Sequence, residues 1–144
     1  VLQRLQLALG NYLEVNPIGI VAPGAGAVFS DYDSVIPDLV FVRNDRWDQI
    51  VANDRFVAAP NLIIEVVSPG PENRKRDIKA KRELYGRFGV EEYWIVDREN
   101  RSISIYRLQG ETLEEIVRLA EVDNLTSPLL PDLVLIVGSL FVLP

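Results

Sequence analysis

Apolar residues recur at a helical spacing where the chain begins and in unbroken runs through its middle, and this change of period divides the sequence into elements. In VLQRLQLALGNYLEVN, Leu2, Leu5, Leu9 and Leu13 share one helix face. Asn16-Pro17 ends that helix, because a residue before proline avoids the helical region. GIVA and AVF are short strand candidates joined by a glycine-rich turn. DLVFV (38–42), directly after Pro37, is a continuous apolar run of the kind that forms a strand covered on both faces. RNDRWDQIVANDR is polar, with room for one short helical turn. LIIEVVS (62–68) is a second buried strand, and Pro69, Gly70 and Pro71 stop it. A helix opens at Glu72 or Asn73, runs to about Phe88 and closes at Gly89. EEYWIVD and RSISIYRL read as a hairpin turning at DREN, followed by the strand TLEEIVRL and a proline-punctuated closing segment, SPLLPDLVL.

Strands interleaved with two helices, without strict alternation, indicate an α/β domain with a mixed sheet. Strands 38–42 and 62–68 are expected at its middle, and a β-barrel is the competing architecture. At 144 residues, residues 1–144 form one domain. The chain begins at Val1, already inside an amphipathic pattern, and contains no methionine. A natural N-terminal segment is therefore expected to precede it.

Composition matters mainly through what is missing. With no histidine and no cysteine, Ser-His-Asp and Cys-His catalysis and the common zinc sites are excluded. No GxxxxGK[ST] loop occurs, and PGAGAVF lacks the spacing of a phosphate cradle. Chemistry must then rest on carboxylates, lysine, tyrosine or serine, and carboxylates suit hard cations such as Mg2+ or Mn2+. LVLIVGSLFVLP is too short to span a bilayer and the N-terminus has no secretory signal pattern, so the expectation is a cytoplasmic protein without a membrane partner. The net charge of −6 argues against general coating of nucleic acid. Six basic residues nevertheless fall between positions 74 and 82: Arg74, Lys75, Arg76, Lys79, Lys81 and Arg82. They form either a solvated helix face or a local surface for phosphates.

Glu65 is the residue that most needs explaining. Leu62, Ile63, Ile64, Val66 and Val67 surround it, and an unpartnered carboxylate there would cost several kcal/mol. It must be paired, protonated or bound to a metal. Asp38 opens the other buried run, where it serves as a cap or turn residue or converges with Glu65 if the two strands are neighbours. On the following helix, Lys81 falls on the inward stripe defined by Ile78, Leu84, Tyr85 and Phe88. It either points at the sheet or pairs with Asp77 while its amine reaches for water.

PDLVFV, PNLIIEVVSP and RDIKAKRELYGRFGVEEYWIVD, in that order, resemble the Uma-type restriction endonuclease family of the PD-(D/E)XK nuclease superfamily, as do IYRLQG and SPLLPDLVL. The resemblance runs from about Pro37 onward. It implies a restriction-endonuclease-like fold, an α/β architecture in which a mixed central β-sheet is flanked by helices, with a metal-dependent site at the sheet's edge. Matched position by position, Asp38 is the first acidic residue of the motif and Glu65 the second. The superfamily lysine usually stands two residues after the second acid, where this chain has Val67. Lys81 on the following helix sits where the Uma-type branch has it.

The expected activity is hydrolysis of DNA phosphodiester bonds. Asp38, Glu65 and the main-chain carbonyl of Val66 would hold Mg2+ or Mn2+, and Lys81 would act on the attacking water or the developing charge. Ser68 would assist through a water or simply end a strand. Arg74, Lys75, Arg76 and Lys79 would meet the phosphate backbone, and a symmetric homodimer is expected for cutting both strands. The competing reading is a nuclease-fold DNA-binding or assembly module without turnover. A glycosidase built on paired carboxylates lacks any aromatic platform for a sugar.

Overall fold

The structure, a computed structural model, describes the backbone of residues 1–24, 27–28, 34–35, 37–47, 51–52, 55–56, 59–67 and 72–142, and the side chains of 1–24, 37–47, 59–67 and 78–142. The first helix, α1 (Leu2–Val15), buries Leu5 and Leu9, the middle of the predicted stripe. Each of those leucines contributes about 2 kcal/mol by leaving water. Six strands form the main sheet: β1 (Gly19–Pro23), β4 (Leu39–Arg43), β7 (Leu62–Val67), β8 (Glu92–Asp97), β9 (Ser102–Gln109) and β10 (Thr112–Leu119). They lie in the order β1-β4-β7-β8-β9-β10. β7 and β8 are parallel and every other neighbouring pair is antiparallel. The sheet is mixed, as expected, and it stays open, which removes the barrel.

The middle of the sheet differs from the expectation. β7 and β8 occupy it, while β4 lies one place toward the β1 edge. The cause is the crossover through α2 (Glu72–Arg87), which returns the chain parallel to β7 and lays β8 beside it. Two further segments carry more structure than their sequence indicated. The strand expected at AVF is β2 (Ala27–Val28), which with β3 (Ser34–Val35), β5 (Val51–Ala52) and β6 (Arg55–Phe56) makes a small separate sheet, and the short helical turn expected in RNDRWDQIVANDR is the 3-10 turn Asn44–Arg46. The closing segment folds as the hairpin β11 (Asn124–Ser127) and β12 (Leu130–Ile136).

Side chains alternate across the sheet, so each face has its own core. Leu39, Phe41, Leu62, Ile64, Trp94 and Val96 pack toward α1 and the β11–β12 hairpin. Val40, Val42, Ile63, Tyr93 and Ile95 pack toward α2, where Leu84, Tyr85 and Val90 meet them. Phe88, expected on the inward stripe, is 39% exposed. The helix ends before Phe88 can turn in. Gly89 takes a positive φ of 87°, its N–H donates to the Gly86 carbonyl and the Val90 N–H to the Tyr85 carbonyl, a Schellman closure. Val90 therefore enters the core in the place of Phe88. Among the described residues no helix is long and apolar enough to cross a membrane.

Candidate active site at the end of the central strands

β4 and β7 run antiparallel with Leu39 opposite Ile64, so Asp38 lies opposite Glu65 and Pro37 opposite Val66. By alternation Asp38 and Glu65 belong to the face of Val40 and Ile63, the face that α2 covers. Opposed residues on one face stand about 5 Å apart at Cβ. The register thus sets the two residues side by side on one face at the strands' shared end.

The local sequence explains why the ladder opens there. Position 37 would ordinarily exchange two hydrogen bonds with Val66, but proline has no N–H to give. The Val66 N–H is taken by the Asp38 side chain, donating to Oδ2 at 2.8 Å. Within a strand the N–H and C=O of one residue point to the same neighbour. The Val66 carbonyl therefore points to the β4 side, where Pro37 offers it no ladder bond. Asp38 is thus fixed by the backbone of the residue next to Glu65.

Glu65 is buried at 5% exposure, and protein groups satisfy its carboxylate. Tyr85 donates its hydroxyl to Oε1 at 2.9 Å and Tyr93 donates to Oε2 at 2.6 Å. The Lys81 ammonium lies 3.5 Å from Oε1, an ion pair on the inward side of α2. The pairing of Lys81 is thereby established with the sheet, while the side chain of Asp77, its alternative partner, lies outside the described residues. Burial pushes the Tyr93 phenol far up, and the negative charge of Glu65 pushes the same way. Tyr93 therefore stays protonated and remains a donor. The two tyrosine rings meet edge to face with centroids 5.1 Å apart, and Tyr93 also lies against Tyr106 at 6.0 Å. The carboxylate is clamped from both sides.

These tyrosines are the functional residues that sequence reasoning missed. Tyr93 stands in an apolar run and Tyr85 on the inward stripe of a polar helix, so both read as core, yet a buried tyrosine usually finds a partner for its hydroxyl. Two buried tyrosines and one buried glutamate within 30 residues were the available signal. Of the basic residues assigned to the phosphate backbone, Lys79 is exposed. The side chains of Arg74, Lys75 and Arg76, and all of Ser68, lie outside the described residues. Arg82 is directed elsewhere, its guanidinium 5.3 Å above the ring of Tyr106.

As donors for a cation, Asp38, Glu65 and the Val66 carbonyl supply only oxygen, the chemistry that Mg2+ and Mn2+ prefer. Each carboxylate oxygen carries about two lone-pair sites, so one tyrosine bond per oxygen leaves Glu65 able to coordinate. Among the described residues no group of three or more acidic side chains gathers, and a main-chain carbonyl is an oxygen donor of the same hard kind. The set fits a hard divalent ion.

Comparisons with known proteins bear on the family and the fold. The family model Uma2, described as "Putative restriction endonuclease", matches residues 1–138. A crystal structure titled as that of a putative nuclease from Anabaena variabilis is similar in fold, with a TM-score of 0.76 and 19% sequence identity over 97% of this chain and 77% of that one. No curated protein matches the chain.

Proposed function

This chain belongs to the Uma2 family of restriction endonuclease-like proteins, and on that premise we propose that it hydrolyses phosphodiester bonds of DNA with the help of Mg2+ or Mn2+. One observation carries the reading. Three elements bring an aspartate, a buried glutamate and a lysine to one end of the sheet, with the lysine 3.5 Å from the glutamate and the aspartate bonded to the backbone beside it.

Asp38, Glu65 and the Val66 carbonyl would hold the ion. When bound, it supplies polarisation of a phosphoryl oxygen and a more acidic water. The chain does the remainder. The bond from the Val66 N–H orients Asp38, and the two tyrosine hydroxyls orient Glu65, so neither carboxylate needs to reorganise when substrate arrives. Lys81 is held close to the reacting region by its pairing with Glu65. Its ammonium can orient the attacking water by donating to it, or stabilise the negative charge that grows on the phosphoryl oxygens. Lys79, exposed on the same helix, fits a backbone contact that raises affinity without reading sequence.

Metal binding tests the ligand assignment. Isothermal calorimetry should show Mn2+ or Mg2+ uptake by the wild type and its loss in Glu65→Gln, with the far-UV circular dichroism of the variant unchanged. Equal affinity in the variant removes Glu65 from the site.

A further inference from the structure

At the same end of the sheet, but toward the α1 face, lies a cavity of about 420 Å3 lined by Arg4, Leu7, Arg98, Arg101 and Phe141, among others. Its position follows from the topology. β8 is parallel to β7, and the Arg98 N–H donates to the Val67 carbonyl at 3.1 Å. The turn that carries the arginines is therefore joined to the strand that carries Glu65. From Glu65, three residues along the sheet and one strand across amount to about 11 Å, roughly three base-pair steps of a duplex.

The turn itself is fixed. Asp97 accepts the N–H groups of Glu99 and Asn100, each at 3.0 Å, and the Asn100 side-chain amide at 2.8 Å. Arg101 holds a φ of +50°, a conformation that costs an arginine more than a glycine. Its Nε donates to Glu121 at 2.7 Å and its guanidinium lies 5.7 Å from the centre of the Phe141 ring. Arg101 is thus neutralised and serves as a wall. Arg4 and Arg98 differ from it: among the described residues neither guanidinium has a hydrogen bond or an ion pair. Arg98 is exposed and Arg4 half-buried, so both guanidinium groups lining the cavity are open to an anion from outside. Guanidinium is well matched to phosphate because its donors form a planar fork.

We propose that Arg4 and Arg98 hold a backbone phosphate of the DNA at a point away from the cut, so that the substrate is gripped at two places across the end of the sheet. The proposal rests on the nuclease reading and adds a contact to it. The test is binding of a labelled DNA duplex over a range of salt, with a chelator present so that nothing is cut, alongside cleavage with metal restored. Arg4→Gln/Arg98→Gln should bind about tenfold more weakly at low salt. Its slope of log affinity against log salt should be smaller in magnitude by about one, the value for one lost phosphate contact. Arg87→Gln removes the same kind of charge at the opposite end of the sheet and should leave the slope unchanged. Circular dichroism and melting of each variant report whether the fold is kept.

If the wild type binds and cuts DNA while the double variant keeps its affinity and slope, the cavity contact is wrong and the nuclease reading stands. An equal loss in Arg87→Gln would also overturn the cavity, by reducing it to general charge. A wild type that neither binds nor cuts DNA overturns both readings, and saturable uptake of inorganic phosphate by such a protein would assign the cavity to a free anion.

Discussion

Among single residues, Glu65 shows how a carboxylate survives in a core. Glu65 does so through two phenols and an ammonium. Hydrogen bonds to a charged group are worth about 1.5–3 kcal/mol each. Tyr93→Phe keeps the ring packing and deletes one of them, so urea unfolding should show a stability loss of about 2 kcal/mol. In Glu65→Gln the same tyrosine substitution should cost less, because the partner charge is gone. An equal cost in both backgrounds would mean that the hydroxyl matters only for its own burial. Glu65 was legible in the sequence because a lone charge in an apolar run violates the pattern. Tyr85 and Tyr93 were not, because an apolar run or an inward helix stripe tolerates a tyrosine without any visible breach. Lys81 lay between, since the helical period placed it inward but could not choose between Glu65 and Asp77.

At the scale of elements, a second buried glutamate fastens the β11–β12 hairpin to the sheet at the end opposite the site. Glu92 on β8 accepts from Trp94 at 2.8 Å and from Ser127 of β11 at 3.0 Å. Arg107 lies 3.7 Å away, close enough for attraction between charges but too long for a hydrogen bond. Burial pushes the Glu92 carboxyl up from its ordinary value of 4.5, outweighing the lowering by Trp94, Ser127 and Arg107. The folded state then keeps a proton that the unfolded chain has released. The contribution of Glu92 is accordingly full below pH 4.5 and is lost as pH rises through its folded value. Measured against Glu92→Gln by urea unfolding across pH, the wild type should lose relative stability above pH 4.5 by at most about 1.4 kcal/mol per pH unit and then level off. A constant difference, or a gain with pH, contradicts this. The sequence showed a strand at 91–97 but not this fastening, because Ser127 is 35 residues away and its segment carried no hairpin signal. Local signals were clearer for α2, whose Gly89 closure followed from a single glycine at the right place.

At the scale of the whole molecule, periodicity sufficed for the class of fold but not for the order of strands. Apolar runs at 38–42 and 62–68 look alike in sequence, yet β7 is central and β4 sits beside the edge strand. Strand order is decided by the crossover through α2, a long-range event that no local pattern encodes. The site was legible because register and alternation are local. Once β4 and β7 are neighbours, Pro37, Asp38, Glu65 and Val66 fall together of necessity. If this junction, with Lys81 paired to Glu65, cuts DNA, plasmid nicking will show it. With Mg2+ or Mn2+ present, the wild type should convert supercoiled plasmid to the nicked form, and should not do so with a chelator. Lys81→Ala should lose at least about 100-fold in rate while keeping its affinity for DNA, as expected when a group acts in the transition state. Nicking that persists in Lys81→Ala would contradict the role given to the lysine, and a wild type that never nicks would leave the fold without the activity claimed for it.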